Sequence, residues 1–301
     1  MNFKYFIIIL CIVCRISADD DWDNIDLSLV GDVQDRPGFW DDKAPELIPL
    51  QVDPRSRSSR IVGGWEVKPH SHPYVVFMLS TNGPSTWRCS GSIISPTAIL
   101  TAAQCPDGST STLVISGVHN VNTIEETQQR RRVSSYDYKI HENYNPQNFH
   151  NDIAILLIRS YPFTETREVA FVQLPYGYKN ELFIGKMVSI VGWGRTCTLC
   201  QTSSVLRGSE NYVIANEACL PYHNSFVDHQ MCIRTEGARG ACFGDSGGPY
   251  TLSRSGPSDH QVVTQIGIHS FIATGGCEAD RPSGSIRLTY FLDWIDSKLK
   301  M

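Results

Sequence analysis

Gly244-Asp245-Ser246-Gly247-Gly248-Pro249 is the stretch from which the rest of the chain can be read. A serine among three glycines suits a tight turn, and the small neighbours leave backbone N–H groups free to meet a ligand. Four further segments precede it in a fixed order: Arg60-Ile61-Val62-Gly63-Gly64, Thr101-Ala-Ala-Gln104-Cys105, Asn151-Asp152-Ile-Ala-Ile-Leu156 and Gly192-Trp193-Gly194. Any one of them is a weak signal; their order and spacing together are strong.

The surrounding pattern is that of short strands. Apolar runs at 74–79, 92–100, 113–115, 153–158, 187–191 and 262–268 recur between turn residues, and most carry β-branched or aromatic members. Such spacing predicts an all-β barrel or sandwich. Only 290–299 has helical periodicity, with Phe291, Trp294, Ile295 and Leu299 able to share a face.

Taken together, the motifs resemble the chymotrypsin family of serine proteases over residues 61–299. Gly192-Trp-Gly-Arg-Thr196, Asn216-Glu-Ala-Cys219 and Gly276-Cys-Glu-Ala279 resemble its arthropod chymotrypsin-like and collagenolytic members. The resemblance implies two six-stranded antiparallel β-barrels with the site in the cleft between them. It makes Ser246 the nucleophile, the N–H groups of Gly244 and Ser246 the oxyanion hole, and Asp152 the buried carboxylate that orients the base. Ser270 is the serine that hydrogen-bonds this carboxylate.

The base itself is missing. The family carries histidine where this chain has Gln104. An imidazole takes a proton near neutral pH, whereas the amide nitrogen's lone pair is delocalised into its carbonyl. Gln104 is expected to keep hydrogen bonds to Asp152 and Ser246 while losing the chemistry. In subtilisin the loss of a triad member costs roughly a million-fold in rate, about 8 kcal/mol. His269, directly before Ser270, is the remaining histidine of interest as a substitute, and a partly buried polar role is the plainer reading.

The resemblance also marks the substrate pocket as Gly240, Ser270, Phe271, Ile272 and Ser283. Gly240 stands where a trypsin has aspartate, so a basic side chain finds no counter-charge there. Ile272 replaces a glycine and is expected to block the pocket mouth, and Ser283 and Ser285 also depart from the family pattern. Activation is implied by a cut after Arg60, freeing the ammonium of Ile61 to pair with Asp245. Pairings of Cys89 with Cys105, Cys219 with Cys232 and Cys242 with Cys277 follow from the family. Cys197 and Cys200 remain, and a local bridge is expected in place of a redox centre. Val118 stands where the family's calcium loop begins with glutamate, so calcium is not expected.

Composition bounds the rest. The 301 residues are 41% hydrophobic and 19% charged, with a net charge of -5, which argues against a nucleic-acid footprint. Lys4, the apolar run 6–13 and Ser17-Ala18 read as a secretory signal over 1–18, too short to span a membrane. The ten cysteines, eight beyond the signal, suit an oxidising compartment, and their spacing argues against a metal site. Residues 19–60 hold eleven acidic and five basic residues, four prolines and no cysteine. They read as an extended or disordered pro-segment ahead of a protease-like domain over 61–301.

The expectation is a secreted homologue that binds peptides or proteins without cutting them and needs no cofactor. Its partners would be peptide or protein ligands, including active serine proteases or their inhibitors, with no nucleic acid and no membrane. The competing reading is an active endopeptidase of chymotrypsin-like preference. Limited trypsin digestion is expected to cut at Arg60 and leave the following domain intact, checked by mass spectrometry; rapid loss of the whole chain would contradict it.

Overall fold

The computed structural model describes residues 25, 27, 30–39, 41, 43, 64–235, 237, 239–255 and 261–300. The signal over 1–18 and the cleavage site at Arg60 and Ile61 lie outside the described residues. Two short strands come first: β1 (Gly31–Asp32), within the acidic segment, and β2 (Trp65–Glu66). The first sheet is then built from β3 (Val75–Thr81), β4 (Thr86–Ser95), β5 (Ala98–Thr101), β6 (Ser111–Ser116), β7 (Gln129–Ser134), β8 (Tyr138–Ile140) and β9 (Ala154–Leu157). The second holds β10 (Met187–Gly192), β11 (Arg207–Ile214), β12 (Gln230–Ile233), β13 (Pro249–Ser255), β14 (Gln261–Phe271) and β15 (Ser283–Arg287). A single α-helix, α1 (Leu292–Leu299), follows.

The second sheet runs β10-β13-β14-β15-β12-β11, and β11 pairs back to β10, closing a six-stranded antiparallel barrel. The first runs β7-β6-β3-β4-β5-β9-β8 and does not close, so it is a curled half-barrel of seven strands. The fold is thus the expected all-β, two-barrel one, with the first barrel open and a strand richer than six. The run 92–100 is not one strand but the end of β4, a turn, and β5.

Burial explains the arrangement. β3, β5, β6 and β9 are buried at every position and read as near-continuous apolar or small runs. The largest apolar cluster joins Val76, Met78, Ile99, Val114 and Ile155 of the first sheet to Ile268 and Ile286 of the second, so the two barrels share one core. Trp193 packs edge-on against Phe77 at 5.6 Å and donates its Nε1–H to the carbonyl of His119. On α1, Ile295 is buried and Phe291 is buried at its N-cap, but Leu299, expected on the same face, is exposed.

The acidic segment departs most from expectation. Residues 30–39 are not a loose tail: β1 pairs in parallel with β4, and Val33–Asp35 form a 3-10 turn. Val30, Val33 and Phe39 supply buried apolar anchors, which composition averaged over the acidic segment conceals.

Four disulfides are closed: Cys89–Cys105, Cys197–Cys200, Cys219–Cys232 and Cys242–Cys277. Cys89–Cys105 spans 16 residues and ties β4 to the loop that carries Gln104. Replacing both cysteines by alanine should lower the unfolding free energy by about 3 kcal/mol, read from urea denaturation. A loss under about 1 kcal/mol would show that the denatured chain gains little freedom from the opened loop.

Candidate active site

β5 and β9 are antiparallel neighbours, with Thr101 opposite Ala154. The end of one and the start of the other therefore bring Gln104 and Asp152 together. The Gln104 backbone N–H donates to Asp152 Oδ1 at 2.9 Å, and its side-chain Nε2 donates to Oδ2 at 2.7 Å. Ser270, on β14 of the other barrel, donates its hydroxyl to Asp152 Oδ2 at 2.5 Å. Asp152 is fully buried, and burial pushes its carboxyl up to about 6 against the pull of these three hydrogen bonds.

The second N–H of Gln104 Nε2 donates to the Ser270 carbonyl at 2.7 Å. Both amide hydrogens are thus spent on acceptors away from Ser246, and Gln104 Oε1 is buried without a partner. The expected link from Gln104 to Ser246 is not formed. Ser246 Oγ instead accepts a hydrogen bond at 2.6 Å from Gln34 Nε2, a side chain of the acidic segment 212 residues away in sequence.

The loop bearing Ser246 is fixed from both barrels. Gly247 has φ +83°, and a Cβ there would meet Thr101 Oγ1 at 2.2 Å and the Ser90 carbonyl at 2.3 Å. Only glycine lets this loop press so closely on β4 and β5. The N–H of Gly247 donates to the His269 carbonyl, and the N–H of His269 to the Gly248 carbonyl. His269 therefore borders Ser246 through its backbone, while its ring lies edge-on to Tyr250 at 6.2 Å. Burial drives the imidazole down to about 3, so it is no proton acceptor at neutral pH.

Asp245 explains the Gly-Trp-Gly stretch. A Cβ on Gly192 or Gly194 would meet its carboxylate at 2.1 or 2.5 Å. The carboxylate accepts the N–H of Gly194 at 2.8 Å and of Cys242 at 2.9 Å. It makes no ion pair among the described residues, and burial pushes it up to about 7. Gly244 neighbours another carboxylate: a Cβ there would meet Asp32 Oδ1 at 2.7 Å.

The pocket residues are packed. A Cβ on Gly284 would meet Phe271 Cζ at 2.1 Å. The Phe271 ring stacks on Phe149 at 5.6 Å and meets His223 edge-on at 4.9 Å. Ile272 is buried against Phe243 and the Cys242–Cys277 bridge. Gly240 faces Thr235, and Ser283 and Ser285 are buried. Gln34, Gln104, Phe149, Phe243, His269 and Ile272 line the small cleft that remains. Gln34, Asp32, Arg88, Arg195 and Phe149 escaped sequence reading. For Asp32 and Gln34 the signal was the Asp-Val-Gln-Asp-Arg run over 32–36, for Arg195 its place in Gly192-Trp-Gly-Arg-Thr196, and for Arg88 and Phe149 there was none.

The family model described as Trypsin matches residues 61–295. The chain belongs to the trypsin family. Brachyurin of Leptuca pugilator is 38% identical over 239 residues, covering 79% of this chain and 98% of that one. Chymotrypsin of Phaedon cochleariae is 32% identical over 251 residues, covering 82% and 84%. A solved collagenase structure superposes with a TM-score of 0.70 at 28% identity, covering 80% of this chain and 99% of the other. This trypsin-family chain thus matches nearly whole relatives in sequence and fold, and its residues 30–39 lie ahead of the matched domain.

Asp245 gives the family domain a pH signature. Its folded-state carboxyl sits near 7, above the ordinary 3.8, so its stabilising contribution is complete below about 4 and fades as pH rises through 7. Asp152 acts in the same direction up to about 6. For the uncut chain, Asp245→Asn should flatten the fall in unfolding free energy between pH 4 and 7, measured by urea denaturation at each pH. An unchanged slope would place the proton elsewhere.

Proposed function

We propose that this chain is a secreted serine protease homologue that holds peptide or protein ligands in its cleft without hydrolysing them. The carrying observation is that Gln104 donates both side-chain N–H groups, to Asp152 and to the Ser270 carbonyl. A group so engaged takes no proton from Ser246, and an amide has none of the basicity that attack requires. In the family's arrangement, Gln104 stands where the catalytic histidine belongs. His269, driven down to about 3, offers no replacement.

The filled pocket supports the same reading. Ile272 is packed against Phe243 and the Cys242–Cys277 disulfide, and displacing it to admit a side chain would cost, in a close-packed interior, on the order of 1–3 kcal/mol. The loop bearing Ser246 and the buried Asp152 are both held in place at the cleft by hydrogen bonds. The retained shape suits binding, as a cofactor for active proteases or as a competitor for their substrates or inhibitors. The signal-like N-terminus and the disulfides favour an extracellular setting.

The test is turnover. A fluorophosphonate probe should leave Ser246 unlabelled, and peptide hydrolysis should fall roughly a million-fold below that of an intact triad. Gln104→His alone should restore little, and Gln104→His with Ile272→Gly more. Hydrolysis by the pure protein, lost on Ser246→Ala, would overturn the proposal.

A further inference from the structure

The pro-segment lies across the cleft as a ligand would. Gly31 and Asp32 pair with Trp87 and Arg88 at the edge of β4, the mode by which an extended peptide adds a strand to a sheet. Gln34 reaches Ser246. The Arg36 guanidinium lies 4.6 Å from the Trp87 ring and donates to the Asp107 carbonyl at 2.5 Å. Phe39 stacks on Phe149 at 6.2 Å.

Its charges meet a built receptor. Arg195 Nε donates to Asp32 Oδ2 at 2.6 Å and Nη2 to Asp35 Oδ2 at 2.5 Å, with the guanidinium 5.4 Å over the Phe243 ring. Nη1 of the same group donates to the Thr198 carbonyl. Arg88, buried like Asp32, lies 3.6 Å from Asp32 Oδ1 and donates to the carbonyls of Val30 at 2.7 Å and Leu27 at 2.8 Å. Two guanidiniums thus alternate with two carboxylates three residues apart. A planar fork of this kind reads spacing as well as charge.

We infer that Arg88 and Arg195 form a peptide-recognition subsite for two aspartates at i and i+3 where a short strand runs into a 3-10 turn, occupied by the chain's own residues 30–39, which stay bound after a cut at Arg60. The contacts that hold the segment lie upstream of Arg60, and no disulfide is needed to keep it. Cutting therefore leaves the cleft filled until the segment is displaced. This inference rests on the reading of the cleft as a peptide-binding site, and it holds whether or not Ser246 turns over.

A fluorescent peptide spanning residues 30–43 tests it by anisotropy on the full chain. Wild type should take up little, because the tethered copy competes at millimolar effective concentration. The full chain carrying Asp32→Ala and Asp35→Ala should bind it about tenfold more tightly or better, and adding Arg195→Ala should weaken that binding by about tenfold. A peptide with Asn at both aspartate positions should lose a similar factor without altering the protein. After trypsin cleavage of wild type, the fragment carrying residues 30–43 should co-elute with the domain on gel filtration. No peptide binding to the opened chain, equal binding by the Asn peptide, or prompt loss of the cut fragment would overturn the inference. None of these readouts depends on hydrolysis, so they are separable from the turnover test.

Discussion

Everything at the cleft turns on the direction of the hydrogen bonds around Gln104. Asp152 is an acceptor and the Ser270 carbonyl is an acceptor, and they take both hydrogens of the amide nitrogen. That nitrogen is fixed as a donor, and the remaining Oε1 can accept a hydrogen bond but has no basicity with which to take a proton. Asp152 remains worth burying because three donors satisfy it, even though burial lifts its carboxyl to about 6. The three donors come from both barrels, so Asp152 ties the two together at the cleft.

The fold was legible where physics leaves few choices. Alternating short apolar runs with Gly and Pro between them gave strands, and Phe291 and Ile295 gave the terminal helix. The ordered motifs marked the serine loop, the carboxylate and Gln104, and the structure brings these together at the barrel interface. Leu299 was misplaced because a helix of eight residues ends before its last turn finds a partner. The run 92–100 was read as one strand because periodicity does not see the turn at 96–97. The link from Gln104 to Ser246 was misjudged because a family template shows where a side chain sits and not which acceptors compete for its hydrogens.

The place of the acidic segment was hidden for a different reason. Its composition is dominated by aspartate, and averaged charge argues for disorder. What places it is local: Val30, Val33 and Phe39 are buried, and Asp32 is buried between Arg88 and Arg195. Such pairings are long-range in sequence, Asp32 and Arg195 being 163 residues apart, and no window along the chain contains both partners.

That burial also decides what the ion pairs are for. Burying a carboxylate costs several kcal/mol, which a good ion pair does little more than offset; Asp32 is raised by desolvation and brought back by Arg195 and Arg88. The apolar anchors therefore supply the net attraction, while the arginines disfavour any segment that lacks carboxylates at the right spacing, since it would leave the buried Arg88 and the half-buried Arg195 without their carboxylate partners. The same reasoning covers Gln34: its amide meets the Ser246 hydroxyl with Gln34 Oε1 left unpartnered, so the contact adds register more than affinity. A segment held by shape and tuned by charge can be exchanged for another of matching chemistry, which is what a binding cleft without turnover requires.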